Sequence, residues 1–165
     1  MGREIRKVPA NWEHPKTDWY GDGRYHPMYD QTFEDACLRW KKEFIEWPES
    51  ESFAKCGGEY WEYAGDPPDR EYYRAYKDDE ATWYQVYETV SEGTPVTPPF
   101  ATKEELIQYL VENGDFWDQA RRKERPWERG NEPWPLANAI RFVTGESSLP
   151  SMMVSNGQVL MPKDI

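Results

Sequence analysis

The chain has 165 residues and carries 31 acidic against 20 basic side chains, a formal charge of −11. That length suits one domain spanning 1–165 with its own core. The acidity disfavours direct nucleic-acid binding, whose footprint is basic, and no run approaches the roughly 18 apolar residues of a membrane helix, so no membrane association is expected.

Residues 1–31 read as an irregular segment packed on the body. Pro9, Pro15, Pro27 and the turn "YGDGRY" interrupt any periodic run. Five large rings, Trp12, Trp19, Tyr20, Tyr25 and Tyr29, fasten it down. The opening "MGREIRKVPANWEHP" has no apolar core of a secretory signal, and Arg6 stands where a myristoylation signal needs Ser or Thr.

The first helix is expected over 32–47, "TFEDACLRWKKEFIEW". Thr32 is its N-cap, and Pro48 stops it. Phe33, Ala36, Cys37, Trp40, Phe44 and Trp47 draw one apolar stripe. Residues 48–81 read as acidic loops. From Asp30 to Glu80 there are fifteen carboxylates against seven basic residues, so most of the acidic excess lies in one third of the chain. A solvated loop face and an acidic interaction surface both fit that pattern.

"TWYQVYETV", 82–90, is the clearest strand, with alternating faces of aromatic and β-branched residues. A Pro-stiffened loop, "SEGTPVTPP" (91–99), leads to a helix over 102–114 with Thr102 as cap, Glu105 completing a capping box and Gly114 as stop. Residues 115–135 read as a charged connector holding the one basic island, Arg121 to Arg129. A short helix over 135–145 turns Leu136, Ala139, Ile140 and Val143 inward. Asn156-Gly157 between apolar runs predicts a hairpin. The fold class is therefore α+β: a small antiparallel sheet, made of strand 82–90 and the C-terminal hairpin, packed with about three helices and long aromatic-rich loops.

Catalytic chemistry finds little support. There is no GxSxG, no phosphate-loop motif and no local Cys–His pairing. His14, His26, Cys37 and Cys56 are too irregularly spaced for a zinc set. No catalytic residue, metal or cofactor is expected. Nine Trp, eleven Tyr and six Phe make 16% of the chain aromatic, so many rings must remain exposed as stacking surfaces. A binding site is expected where Trp83, Tyr84, Tyr87 and Glu88 run into the loop of Ser91, Glu92, Gly93, Thr94, Pro95 and Thr97. The rings would stack a nucleotide-like small molecule, the hydroxyls would hydrogen-bond it, and Arg121 and Arg122 would neutralise a phosphate. An ordinary proline-stiffened corner is the structural alternative.

"GREIRKVPANWEHP", "WYQVYETVSEGTPVTPPFATKEELIQYLVENGDFWDQ" and "VSNGQVLMPKDI" resemble a widespread family of short bacteriophage and prophage proteins. The resemblance implies a phage origin and expression in the host cytoplasm; it carries over no activity, cofactor or catalytic residue. Small phage proteins without catalytic motifs often counter host defence. Two modes are expected: a sponge that sequesters a nucleotide-like immune signal, and an acidic nucleic-acid mimic, anti-CRISPR-like, that occupies a basic groove on a host defence protein. A structural or replication accessory role is the third, and self-association as a homo-oligomer fits any of them.

Overall fold

The computed structural model describes residues 2–19 and 21–145, and the backbone of 154–155 and 158–159. The class is α+β, as expected. Its centre is a three-stranded antiparallel sheet of β1 (Arg3–Val8), β4 (Trp83–Glu88) and β5 (Thr94–Pro95), in the order β1-β4-β5. A two-stranded parallel ribbon pairs β2 (Tyr29–Thr32) with β3 (Tyr73–Arg74). The C-terminal segments β6 (Val154–Ser155) and β7 (Gln158–Val159) pair with each other, as a hairpin should, but form a sheet of their own. The predicted turn residues Asn156 and Gly157 lie outside the described residues.

The partner of the central strand is thus the N-terminus, not the hairpin. β1 runs antiparallel to β4 with Ile5 opposite Val86, Arg6 opposite Gln85 and Val8 opposite Trp83. The irregular reading of 1–31 misses this strand because "REIRKV" is mostly charged. The pleat sends alternate residues to opposite faces, and both faces of this sheet are covered.

One face, with Ile5, Tyr84 and Val86, packs on α4 (Lys103–Asn113) and α6 (Leu136–Thr144). Leu106 and Leu110 on α4 and Ala139 and Val143 on α6 complete this core. Thr102 Oγ1 accepts from Glu105 N at 3.2 Å and Gly114 closes the helix at φ 75°, as predicted, but Glu105 supplies its backbone N–H alone and no reciprocal capping box forms. Leu136, expected inward, is instead 47% exposed; Ala137 takes the buried position one residue on.

The other face, with Val8, Trp83 and Tyr87, packs on Trp12, Tyr76 and Ala81. The connector expected at 115–135 contains α5 (Phe116–Glu124). Asp115 caps it by accepting from Asp118 N at 2.9 Å, while Asp118 accepts from Asp115 N at 3.0 Å. This reciprocal cap uses two aspartates, where the usual signature has Ser or Thr followed by Glu or Gln.

A lobe is made of α1 (Phe33–Glu46), α2 (Glu51–Cys56) and α3 (Tyr60–Ala64), where loops were expected from 48 onward. Thr32 caps α1 as predicted, its Oγ1 accepting from Asp35 N at 3.2 Å. Trp47 is the lobe's centre. It is buried, donates from Nε1 to Gly58 O at 2.8 Å, and touches the rings of Phe53, Tyr60 and Tyr63. The predicted stripe is only partly core, since Phe44 is 40% exposed. Among the described residues no helix is long and apolar enough to cross a membrane.

Candidate functional site

The expected rings and loop do not converge on one cavity. Trp83 and Tyr84 are consecutive on β4 and therefore point to opposite faces. Tyr84 faces the helices, beside Phe100 and under the Lys103 ammonium. Tyr87 is 1% exposed and offers no stacking surface. The loop hydroxyls are also committed. Thr97 is buried, accepts from Val86 N at 3.1 Å and donates to Pro98 O at 2.9 Å. Ser91 Oγ and Thr94 Oγ1 bond each other at 2.7 Å. Pro95 is buried in β5 opposite Tyr87. Glu88 accepts from Trp117 Nε1 at 3.0 Å. Arg122 donates to the carbonyls of Asn131 and Asn113, closing the 113–131 loop, while Arg121 is exposed on α5. These contacts tie Ser91, Thr94, Pro95 and Thr97 into the fold and shape the 91–99 stretch as a corner.

What the corner holds is a buried polar cluster. Arg6, 5% exposed, donates from Nη1 to Met28 O at 2.5 Å, from Nη2 to Glu92 O at 3.4 Å and from Nε to Glu4 Oε1 at 2.7 Å. Its guanidinium lies 4.5 Å from the Tyr87 ring centre. Gly93 O accepts from Met28 N at 2.9 Å, so the corner and the N-terminal segment are pinned together. Arg74, also buried, donates to Tyr76 O at 3.0 Å and to Asp78, and its Nε lies 3.3 Å from Asp30 Oδ1.

His14 belongs to the same cluster, and its partners define its tautomer. Nε2 lies 2.7 Å from His26 O, which can only accept, so Nε2 carries the proton. Nδ1, 2.9 Å from the Tyr87 hydroxyl, then accepts from it, and Tyr87 Oη accepts in turn from Trp12 Nε1 at 3.2 Å. Every group in this relay is satisfied with a neutral imidazole. Burial is the largest cause holding the His14 pKa down, to about 4 from 6.5, with the Arg6 charge adding to it against the His26 carbonyl bond. The burial of Tyr87 pushes its phenol far above the ordinary range.

A lowered histidine pKa means that the unfolded chain binds a proton the native state refuses. The contribution is present above pH 6.5 and is lost as pH falls through about 4. Urea unfolding should therefore show the stability advantage of the native chain over His14→Gln shrinking by roughly 2–3 kcal/mol between about pH 7 and about pH 4.5. A gap that stays constant over that range would mean that His14 does not titrate against the fold.

Two surface features remain open to a partner. The lobe carries nine carboxylates against four basic residues over 33–66. It also exposes Leu38 (66%), Ile45 (65%), Tyr63 (55%), Trp61 (46%) and Phe44 (40%). Trp40 stacks on Phe44 at 5.5 Å and Phe44 on Trp61 at 6.1 Å, a short ring ladder that starts half-buried at Trp40 and reaches solvent at Phe44 and Trp61. Beside the lobe, a shallow groove of about 250 Å³ runs between the 66–69 turn and the β2–β3 ribbon, and Glu92 at the corner's tip closes one side. Of the expected site residues, Glu92 alone lines it. Its other walls come from Tyr29, Asp66, Asp69, Tyr72 and Tyr73. The sequence signal was "AGDPPDREYY", in which prolines, acids and rings alternate, but nothing local ties it to Glu92. Among the described residues no three His, Cys, Asp or Glu side chains converge as a metal site.

No family model, curated protein or solved structure matches this chain.

Proposed function

We propose that this is a phage counter-defence protein that acts by binding rather than catalysis, docking its acidic lobe onto a basic surface of a host defence protein. The observation that carries the reading is the union of exposed large apolar side chains and a carboxylate surplus on one small lobe. Exposed large apolar side chains gathered on one lobe mark an interaction surface, and interface cores favour Trp, Tyr and Phe. The carboxylates supply complementarity to a basic partner and speed encounter. The phage origin rests on the sequence resemblance alone. A nucleotide sponge has less support, because Tyr87, Thr97 and Arg122 are engaged inside the fold.

Phage plaquing on hosts carrying individual defence systems tests this reading. The native chain should restore plaquing against a responsive system, and the purified defence protein should bind it with affinity that falls at least about tenfold from about 50 to about 300 mM salt. Phe44→Ala with Trp61→Ala should abolish both effects while leaving the circular dichroism spectrum intact. Restored plaquing by that double variant, or intact nucleotide released from the heat-denatured native protein, would move the function elsewhere.

A further inference from the structure

Resting on the reading of a basic protein partner, we infer that the groove between the 66–69 turn and the β2–β3 ribbon is a socket for one arginine side chain of that partner. Its chemistry selects an organic cation. Asp66, Asp69 and Glu92 put three carboxylates on a groove whose other walls are Tyr29, Tyr72 and Tyr73. Those carboxylates repel phosphate. Among the described residues no three His, Cys, Asp or Glu side chains converge to hold a metal ion, whereas a ring face attracts an organic cation.

Within the chain these carboxylates meet only neutral donors: Asp69 Oδ1 accepts from Glu71 N at 3.1 Å, and the Tyr29 hydroxyl donates to Glu92. Among the described residues no Lys, Arg or His side chain forms an ion pair with Asp66, Asp69 or Glu92. The nearest sequence neighbour able to do so, Arg70, is turned away. Its guanidinium lies 4.3 Å from the Phe33 ring centre, with Nη1 4.0 Å from Glu34. That placement beside a ring and a carboxylate illustrates the same recognition chemistry.

Size and position indicate a side chain rather than a free ligand. The volume of about 250 Å³ falls below the roughly 300–1,000 Å³ of pockets that enclose a whole small molecule. Asp66 comes just after Gly65, the C-cap of α3, so the groove starts where the lobe's last helix ends. Arginine fits better than lysine, because its planar, weakly hydrated guanidinium stacks on an aromatic face and forks onto carboxylates. Arginine anchors of this kind are common energetic centres of interfaces.

The test is a titration of the full chain with arginine amide, lysine amide and citrulline amide, followed by backbone NMR shifts. Arginine amide should move the amides of Asp69, Tyr72, Tyr73 and Glu92 along saturable curves. Lysine amide should bind several-fold more weakly and uncharged citrulline amide not measurably. The isosteric triple variant Asp66→Asn, Asp69→Asn, Glu92→Gln should weaken arginine binding at least about fivefold, the summed worth of three surface ion contacts, with the remaining spectrum unchanged. Citrulline binding as well as arginine, shifts scattered over the acidic surface, or no saturable shift would overturn the socket. The titration involves no partner. Its failure removes the socket and leaves the docking surface, whereas failure of the Phe44 and Trp61 variants to affect plaquing removes the docking surface and leaves the socket.

Discussion

Gly93→Ala should destabilise the protein by at least about 4 kcal/mol, near the top of the range for single substitutions. Two costs combine. Gly93 has φ 128°, a region that L side chains rarely adopt. A Cβ there would also stand 2.1 Å from Met28 O and 2.3 Å from Arg6 Nη2, inside any allowed contact. Neither neighbour can move cheaply, because Arg6 donates to that same carbonyl while Met28 N donates to Gly93 O. In a chain of this size the melting temperature should drop by roughly 10 °C. Gly130→Ala separates the two costs. Its φ is 91° but a Cβ would meet nothing within 4 Å, so it should cost only about 1–2 kcal/mol of backbone strain. Equal losses for the two variants, measured by denaturant midpoint, would contradict the close approach at Gly93.

This corner also shows how far the sequence could be read. Strand β4, the helices α1 and α4 and their caps at Thr32 and Thr102 follow from local rules, because each depends on residues within one or two turns. The α+β class follows from their order. β1 was illegible for a physical reason. A strand that buries an arginine against a ring and two carbonyls has no hydrophobic alternation to reveal it. α5 was hidden by its composition, with two aspartates acting as a reciprocal cap.

The candidate site was less legible than the fold. The ring-rich strand and stiff loop at 83–99 were recognisable, but their aromatic and hydroxyl groups serve the interior. Tyr87 is the middle of a relay that links Trp12 to His14, 73 residues away in sequence. Satisfying buried polar groups requires partners from distant positions, and no local pattern reports them. The groove has the same character. Tyr29, the 66–73 stretch and Glu92 meet only because β2 pairs with β3 and the corner folds over the ribbon.

Arg6→Met should cost about 3–4 kcal/mol, because it removes a buried, hydrogen-bonded guanidinium. Methionine retains an apolar stem of similar reach, so the loss measures the polar head rather than a cavity. Removing the head leaves the Met28 and Glu92 carbonyls without their donor and strips the cation from the Tyr87 ring. Arg6→Lys should fall between the native chain and Arg6→Met, since one ammonium cannot reproduce a three-nitrogen fork. Because the group is buried, these differences should persist in high salt, unlike a surface pair. Gly93 and Arg6 share one space, so their substitutions should not add. Deleting the guanidinium removes one of the two collisions in Gly93→Ala, and the double variant should be at least about 1 kcal/mol more stable than the sum of the singles predicts. Urea titrations in a stabilising osmolyte keep all four proteins in range. Strict additivity would show that the corner and β1 are held independently, against the shared contact at Met28 O.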